Sequence, residues 1–301
     1  DFGNHTCRDD KKGGHGIVDM QKSISESCDT YYYLLARDMG VNMMHDFMKP
    51  LGFGQITGID LQGEARGVLP STEWKKNTFK KPEQQKWYEG ETISLGIGQG
   101  YNAFTILQLA HAMANVANNG IVMKPHLVKA IEDPFTRNRV LTTPKESYRI
   151  NLDPENIEVI KKAMVEVNIS GTSAAAFKGT GYPVGGKTGT AQVFSLNSKE
   201  YKHSATAEFL RDHALYMAFA PADEPQIALA IVVENAGFGA AQAAPIARRV
   251  FDYWLLGDYP SIEDIEASQK GLAASPMGVR RRKEDILLAP SEGVVGGIKN
   301  R

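Results

Sequence analysis

A chain of 301 residues with 42% apolar and 23% charged side chains has enough apolar material for one large packed domain or two small ones. Its 34 Lys and Arg nearly cancel its 35 Asp and Glu, which excludes a basic nucleic-acid footprint and an acidic solvating chain. No run approaches the roughly 18 consecutive apolar residues of a membrane span, and no leader peptide opens the sequence.

The polar, Gly-rich stretch 1–22 reads as a loop lying on another surface. From Ser27 the pattern turns helical, with Tyr31, Leu34, Leu35 and Met39 as an apolar stripe stopped by Gly40. A second short helix carries Met44, Phe47, Met48 and Leu51. Residues 55–90 look like an irregular excursion, in which the Lys75 to Lys81 run with Trp74 and Trp87 is either a solvated loop or a glycan contact. Thr105 and Gln108 then form a capping box before Leu109, Met113 and Val116. Asp153 and Pro154 are an N-cap and first-turn pair for a helix burying Ile157, Ile160, Met164 and Val167.

After residue 180 the period changes. Strand-length segments near Val184 to Phe194, Ala214 to Ala220 and Gln226 to Val233 follow one another without crossover helices, which favours antiparallel pairing. Residues 240–256 return to helix, with Ala243, Ile246, Ala247, Val250 and Trp254 on one side. The fold class is α+β, with helices packed on an antiparallel sheet. Residues 1–257 read as one packed unit and 258–301 as a tail with little to order it.

Two motifs carry chemistry. In Gly185-Gly186-Lys187-Thr188-Gly189-Thr190, a Lys and two hydroxyls sit on a glycine-flanked strand, an arrangement suited to an extended ligand with a carboxylate. A chance Lys-Thr-Gly in a hairpin is the plainer alternative, and the spacing excludes a Walker loop. Ser27-Cys28-Asp29 opens the first apolar helix, where a Ser hydroxyl is ordinarily just a cap. Asp212-His213 could look catalytic, but a local cap or ion pair explains it as well. Tyr31 to Tyr33 read as core with one exposed ring.

In this order the two motifs resemble the second and third elements of the Ser-x-x-Lys, Ser-Asp-Asn, Lys-Thr-Gly set of enzymes that react with penicillin. Leu95-Gly96-Ile97-Gly98-Gln99-Gly100 followed by Thr105 and Gln108, Leu210-Arg211-Asp212-His213, and Phe219-Ala220-Pro221 add to the pattern. Over about residues 10–257 the chain is similar to class B penicillin-binding proteins of the elongation type. The resemblance implies an antiparallel sheet sandwiched by helices and a peptidoglycan D,D-transpeptidase that works through a serine acyl-enzyme. Ser27, Asp29 and Lys187 would be catalytic, and Thr188, Gly189 and Thr190 would bind substrate, with no cofactor for the chemistry.

The implied partners are peptidoglycan stem peptides, β-lactams, a glycan polymerase and other elongation-machinery proteins, without nucleic acid. The implied location is the periplasmic face of the inner membrane, with the anchor outside this chain. A D,D-carboxypeptidase and a penicillin-recognising sensor are the alternatives. Two departures stand out. No serine is followed three positions later by lysine, so the nucleophile is expected upstream of Asp1. Asp29 stands where many relatives have Asn, and an ionised Asp only accepts hydrogen bonds.

The cysteines raise a separate expectation. Cys28 needs no functional group for acyl transfer, yet His5, Cys7, Asp9, Asp10 and His15 lie upstream in a loop with little apolar content. Asp9, His15 and Cys28 suit a structural tetrahedral zinc, with a fourth ligand from an upstream segment or from Cys7. A Cys7 to Cys28 disulfide and a buried free thiol are the competing readings.

Overall fold

The strand His213–Ala220 shows how the layers arise, because its alternate side chains enter two different cores. The computed structural model describes residues 9, 11, 13–193, 207–272 and 274–287. In chain order these include helices α1 (Met20–Ser25), α2 (Asp29–Met48), α3 (Thr72–Thr78), α4 (Glu89–Leu95) and α5 (Ile106–Ala117). Two small antiparallel pairs follow, β1 (Ile121–Met123) with β4 (Glu146–Arg149) and β2 (Ala130–Glu132) with β3 (Arg139–Leu141). Helix α6 (Pro154–Ile169) leads into the main sheet of β5 (Gly185–Ala191), β6 (His213–Ala220) and β7 (Ile227–Val233), which α7 (Ala244–Phe251) and α8 (Ile262–Gln269) follow.

The main sheet is antiparallel in the order β5-β6-β7, with Lys187 opposite Met217 and Ala214 opposite Val233. Side chains of a strand alternate between its faces. Ala214, Tyr216, Ala218 and Ala220 therefore share one core with Phe177, Ala243, Ala244, Ala247 and Phe251. From the other face Met217 and Phe219 meet Ile24, Met113, Ala117, Ala163, Met164 and Val167 of α1, α5 and α6. The sheet is thus held between helical layers, as the alternation of period implies. A third, smaller core of Leu51, Phe53, Leu69 and Ala112 supports the excursion at 55–90.

The local punctuation is where the sequence suggests it. Thr105 and Gln108 cap α5 reciprocally, and the Asp153 carboxylate accepts from the backbone N–H groups of Glu155 and Asn156 at the start of α6. Gly40, at φ +73°, breaks α2, and helix resumes directly after it.

Four expectations need correction. The face of α2 that packs inward is Ala36 and Val41 with Tyr32, while Leu34 and Leu35 are exposed. In the last helical region the buried positions are Ala243, Ala244, Ala247, Arg248 and Phe251, and Ile246, Val250 and Trp254 face out. Its helix is interrupted after Gln242, and the face that packs inward is built from the small Ala243, Ala244 and Ala247 with Phe251 rather than from the larger aliphatic side chains. Lys75 is not solvated: it is 3% exposed, pairs with the Glu91 carboxylate, donates to the Lys86 carbonyl at 2.8 Å and lies over the rings of Trp87, Tyr88 and Tyr101. Beyond residue 257, Asp264 is fully buried and forked to Arg249, and Asp258–Tyr259 pairs with Arg281–Arg282, so the described part of this segment is anchored to the domain.

Candidate active site

Ser27 precedes α2 with φ +59°, in the left-handed region that a non-glycine residue seldom adopts. The N-cap of α2 is Cys28, so Ser27 does not cap the helix. The turn instead aims the Ser27 hydroxyl at β5, where its Oγ accepts a hydrogen bond from Lys187 Nζ at 2.8 Å. Lys187 Nζ also donates to the Thr188 carbonyl at 3.0 Å. Asp29 is the first residue of α2, where an acidic side chain complements the positive helix end.

Strand β5 has β6 as its only neighbour among the described residues. The carbonyls of Thr188 and Thr190 are two residues apart and face the same side of the strand. Thr188 O is engaged by Lys187, and Thr190 O accepts from Gln99 Nε2 at 3.1 Å. Lys187, Thr188, Gly189 and Thr190 are all half-buried, so the strand keeps one cation and two hydroxyls partly accessible.

The two glycines before Lys187 have a different cause from the one expected. A Cβ at Gly186 would collide with the Tyr216 hydroxyl oxygen and stand 2.7 Å from Cζ, and one at Gly185 would strike the Phe219 ring. They let β5 sit close over the aromatic side chains of β6.

Two residues enter this site that the motifs did not assign. Gln99 comes from the Gly-rich turn after α4. Thr172 comes from the turn after α6, where its Oγ1 lies 2.8 Å from Thr188 Oγ1. Nothing local in the sequence marks Thr172 except its preceding glycine. Asp212 and His213 stay structural: His213 Nδ1 accepts from the Asn235 N–H at 2.9 Å, and the Asp212 carboxylate accepts from the Val193 N–H at 3.4 Å.

Asp9, His15 and Cys28 meet beside the start of α2, next to Ser27. One ligand atom from each lies within 4.8 Å of the others. His15 Nδ1 is 3.0 Å from Asp9 Oδ1, and the Cys28 thiol donates to Asp9 Oδ2 at 3.3 Å. Burial pushes the Cys28 thiol pKa up, with Asp9 adding to it. Cys28 forms no disulfide, and His5, Cys7 and Asp10 lie outside the described residues.

A family profile described as the penicillin binding protein transpeptidase domain matches residues 1–252. The chain belongs to this family. It is 46% identical over 256 residues to the peptidoglycan D,D-transpeptidase MrdA of Acinetobacter baumannii, covering 84% of this chain and 37% of the relative, so it spans well under half of that protein. Among solved structures it is similar to Pseudomonas aeruginosa PBP2 in complex with WCK 5153, with 39% identity and a TM-score of 0.71 over 84% of this chain and 52% of the other. It is likewise similar to PBP2 from the Helicobacter pylori complex with MreC, with 27% identity and a TM-score of 0.69 over 85% of this chain and 44% of the other.

Proposed function

We propose that the chain is part of the catalytic domain of a peptidoglycan D,D-transpeptidase that cross-links stem peptides during cell elongation and is acylated by β-lactams. The observation that carries this reading is the 2.8 Å contact of Lys187 with Ser27, which joins two motifs 160 residues apart at the rim of an edge strand. In the reaction, a serine hydroxyl from an upstream Ser-x-x-Lys attacks the carbonyl carbon of the penultimate D-Ala. The C–N bond to the terminal D-Ala breaks, and the departing nitrogen takes a proton relayed through Ser27. The amine of a second stem peptide then attacks the ester, the C–O bond breaks, and the serine recovers its proton.

Lys187 keeps the Ser27 hydroxyl in place and favours the donor's carboxylate, which the hydroxyls of Thr188 and Thr190 bind. The Thr190 N–H supplies one oxyanion donor. Asp29, at the start of α2, accepts from the donor's amide. A β-lactam follows the same first step, but its amine stays tethered and the ester persists.

The test is acylation of the full-length protein by a fluorescent penicillin. Lys187→Ala is expected to slow labelling about 100-fold, and labelling at the unmutated rate would overturn the assignment. No described helix is long and apolar enough to cross a membrane. We place the domain in the periplasm, held to the inner membrane by a segment outside this chain, beside a glycan polymerase and other elongation proteins; the MreC complex of the related PBP2 supports such partners.

We further propose that Asp9, His15 and Cys28 hold a structural zinc ion. Carboxylate, imidazole and thiolate are a zinc donor set, and one ligand atom from each of the three lies within 4.8 Å of the others. His15 Nδ1 is buried without a well-aligned hydrogen bond, as an atom awaiting a metal would be. The ion would tie the loop at 9–15 to the start of α2 and take no part in acyl transfer.

A further inference from the structure

The turn at 170–173 touches both motifs and belongs to neither. Gly171 packs so closely on the residue before the Ser27 turn that a Cβ there would overlap the Ser25 carbonyl oxygen, and the Thr172 N–H donates to that same oxygen at 3.3 Å. On its other side, the Thr172 hydroxyl meets the Thr188 hydroxyl at 2.8 Å. One residue therefore bridges the turn that presents Ser27 and the strand that presents Lys187.

The turn is held from below by buried polar side chains. Ser173 Oγ and the Tyr216 hydroxyl both donate to Asn168 Oδ1, at 2.6 and 2.7 Å, and Asn168 Nδ2 donates to the Val184 carbonyl at 2.8 Å, next to the start of β5. Ser173 and Tyr216 are each 1% exposed. A fully satisfied buried network of this kind fixes geometry. Thr172 itself is exposed and thus costs the fold little to change.

A hydroxyl has one proton to give and two lone pairs to receive with. For Thr188 to donate to a bound carboxylate, it cannot also donate to Thr172; it must accept from it. The Thr172 hydroxyl then both selects the Thr188 rotamer that points towards the turn and leaves the Thr188 proton free for the ligand. We propose that Thr172 is a positioning residue for substrate recognition, acting through the Thr188 hydroxyl on the carboxylate of the acyl donor. This rests on the reading of Thr188 as a carboxylate-binding residue.

The experiment compares two thioester acyl donors on the full-length protein, one ending in a free carboxylate and one in its methyl ester. The unmutated protein is expected to prefer the carboxylate in kcat/KM. Thr172→Val should cut that preference about five- to tenfold, Thr172→Ser should retain it, and the methyl ester should react equally with all three. Thr188→Val should cause a similar loss, to which Thr172→Val adds nothing. A Thr172→Val protein that slows both donors equally, or keeps the full preference, overturns the role of Thr172. An unmutated protein with no preference overturns the carboxylate role of Thr188, a separate failure that takes Thr172 with it.

Discussion

Lys187 Nζ stands 2.8 Å from Ser27 Oγ, and the two residues are brought together by α1, just before the Ser27 turn, and β5, which both pack against α6. If the ammonium works through the serine hydroxyl, the two side chains form one unit. Ser27→Ala and Lys187→Ala should each lower penicillin acylation about 100-fold, and the double variant should fall far short of the product. Stopped-flow acylation of the four proteins measures the coupling; strict multiplicativity would separate their roles.

Gly186 is set by the aromatic ring below it. Gly186→Ala should lower stability by about 1–3 kcal/mol, because its Cβ would collide with the Tyr216 hydroxyl. Tyr216→Phe removes the obstructing oxygen and should recover part of the loss, since Asn168 Oδ1 keeps its bond from Ser173. Urea denaturation of the single and double variants reads this directly.

The Lys75 and Glu91 pair predicts both a mutational and a pH effect. Lys75→Met leaves Glu91 beside a buried apolar chain and should cost about 3 kcal/mol, whereas adding Glu91→Gln should restore much of it. Burial raises the Glu91 pKa, but bonds from Lys75, the Tyr88 N–H and the Tyr101 hydroxyl outweigh it and hold the carboxyl below its ordinary 4.5. A depressed folded value means stability that is present above the unfolded value and lost as pH falls through the folded one. Thermal melts below pH 4.5 should therefore decline more steeply in the unmutated protein than in the double variant.

Zinc content is measurable on protein purified without added metal. Elemental analysis should give close to one equivalent for the full-length protein, reduced strongly by His15→Ala and by Cys28→Ser, with a lower melting temperature in both. Less than a tenth of an equivalent in the unmutated protein, or a Cys7 to Cys28 bridge in its peptide map, would refute the ion.

The strands and the capped helices were legible because their signals are local: β-branched runs, the Thr105 and Gln108 box, and Asp153 before Pro154. The stripes of α2 and of residues 240–256 were misjudged because the largest apolar side chains were read as the inward face, whereas the packed faces carry small residues, Ala36 in α2 and Ala243, Ala244 and Ala247 in the last region. Lys75 looked solvated because its aromatic surroundings are assembled from Trp87, Tyr88 and Tyr101, spread along the chain. In the site, Ser27 and Lys187 were readable from motif order. Thr172 and Gln99 were not given roles, since each joins the site through a contact made across at least 16 residues.

The position of β5 at the margin of its sheet has a cost that its sequence offsets. An open ladder offers its backbone groups to any extended chain, native or stray, and is a seed for aggregation. Here the carbonyl groups of Thr188 and Thr190 are already engaged, one by Lys187 and one by Gln99. A passing strand must displace both side chains and bury a cation to add itself. A ligand ending in a carboxylate would meet that cation as an attraction, so under the proposed function the features that admit it would also keep the margin from polymerising.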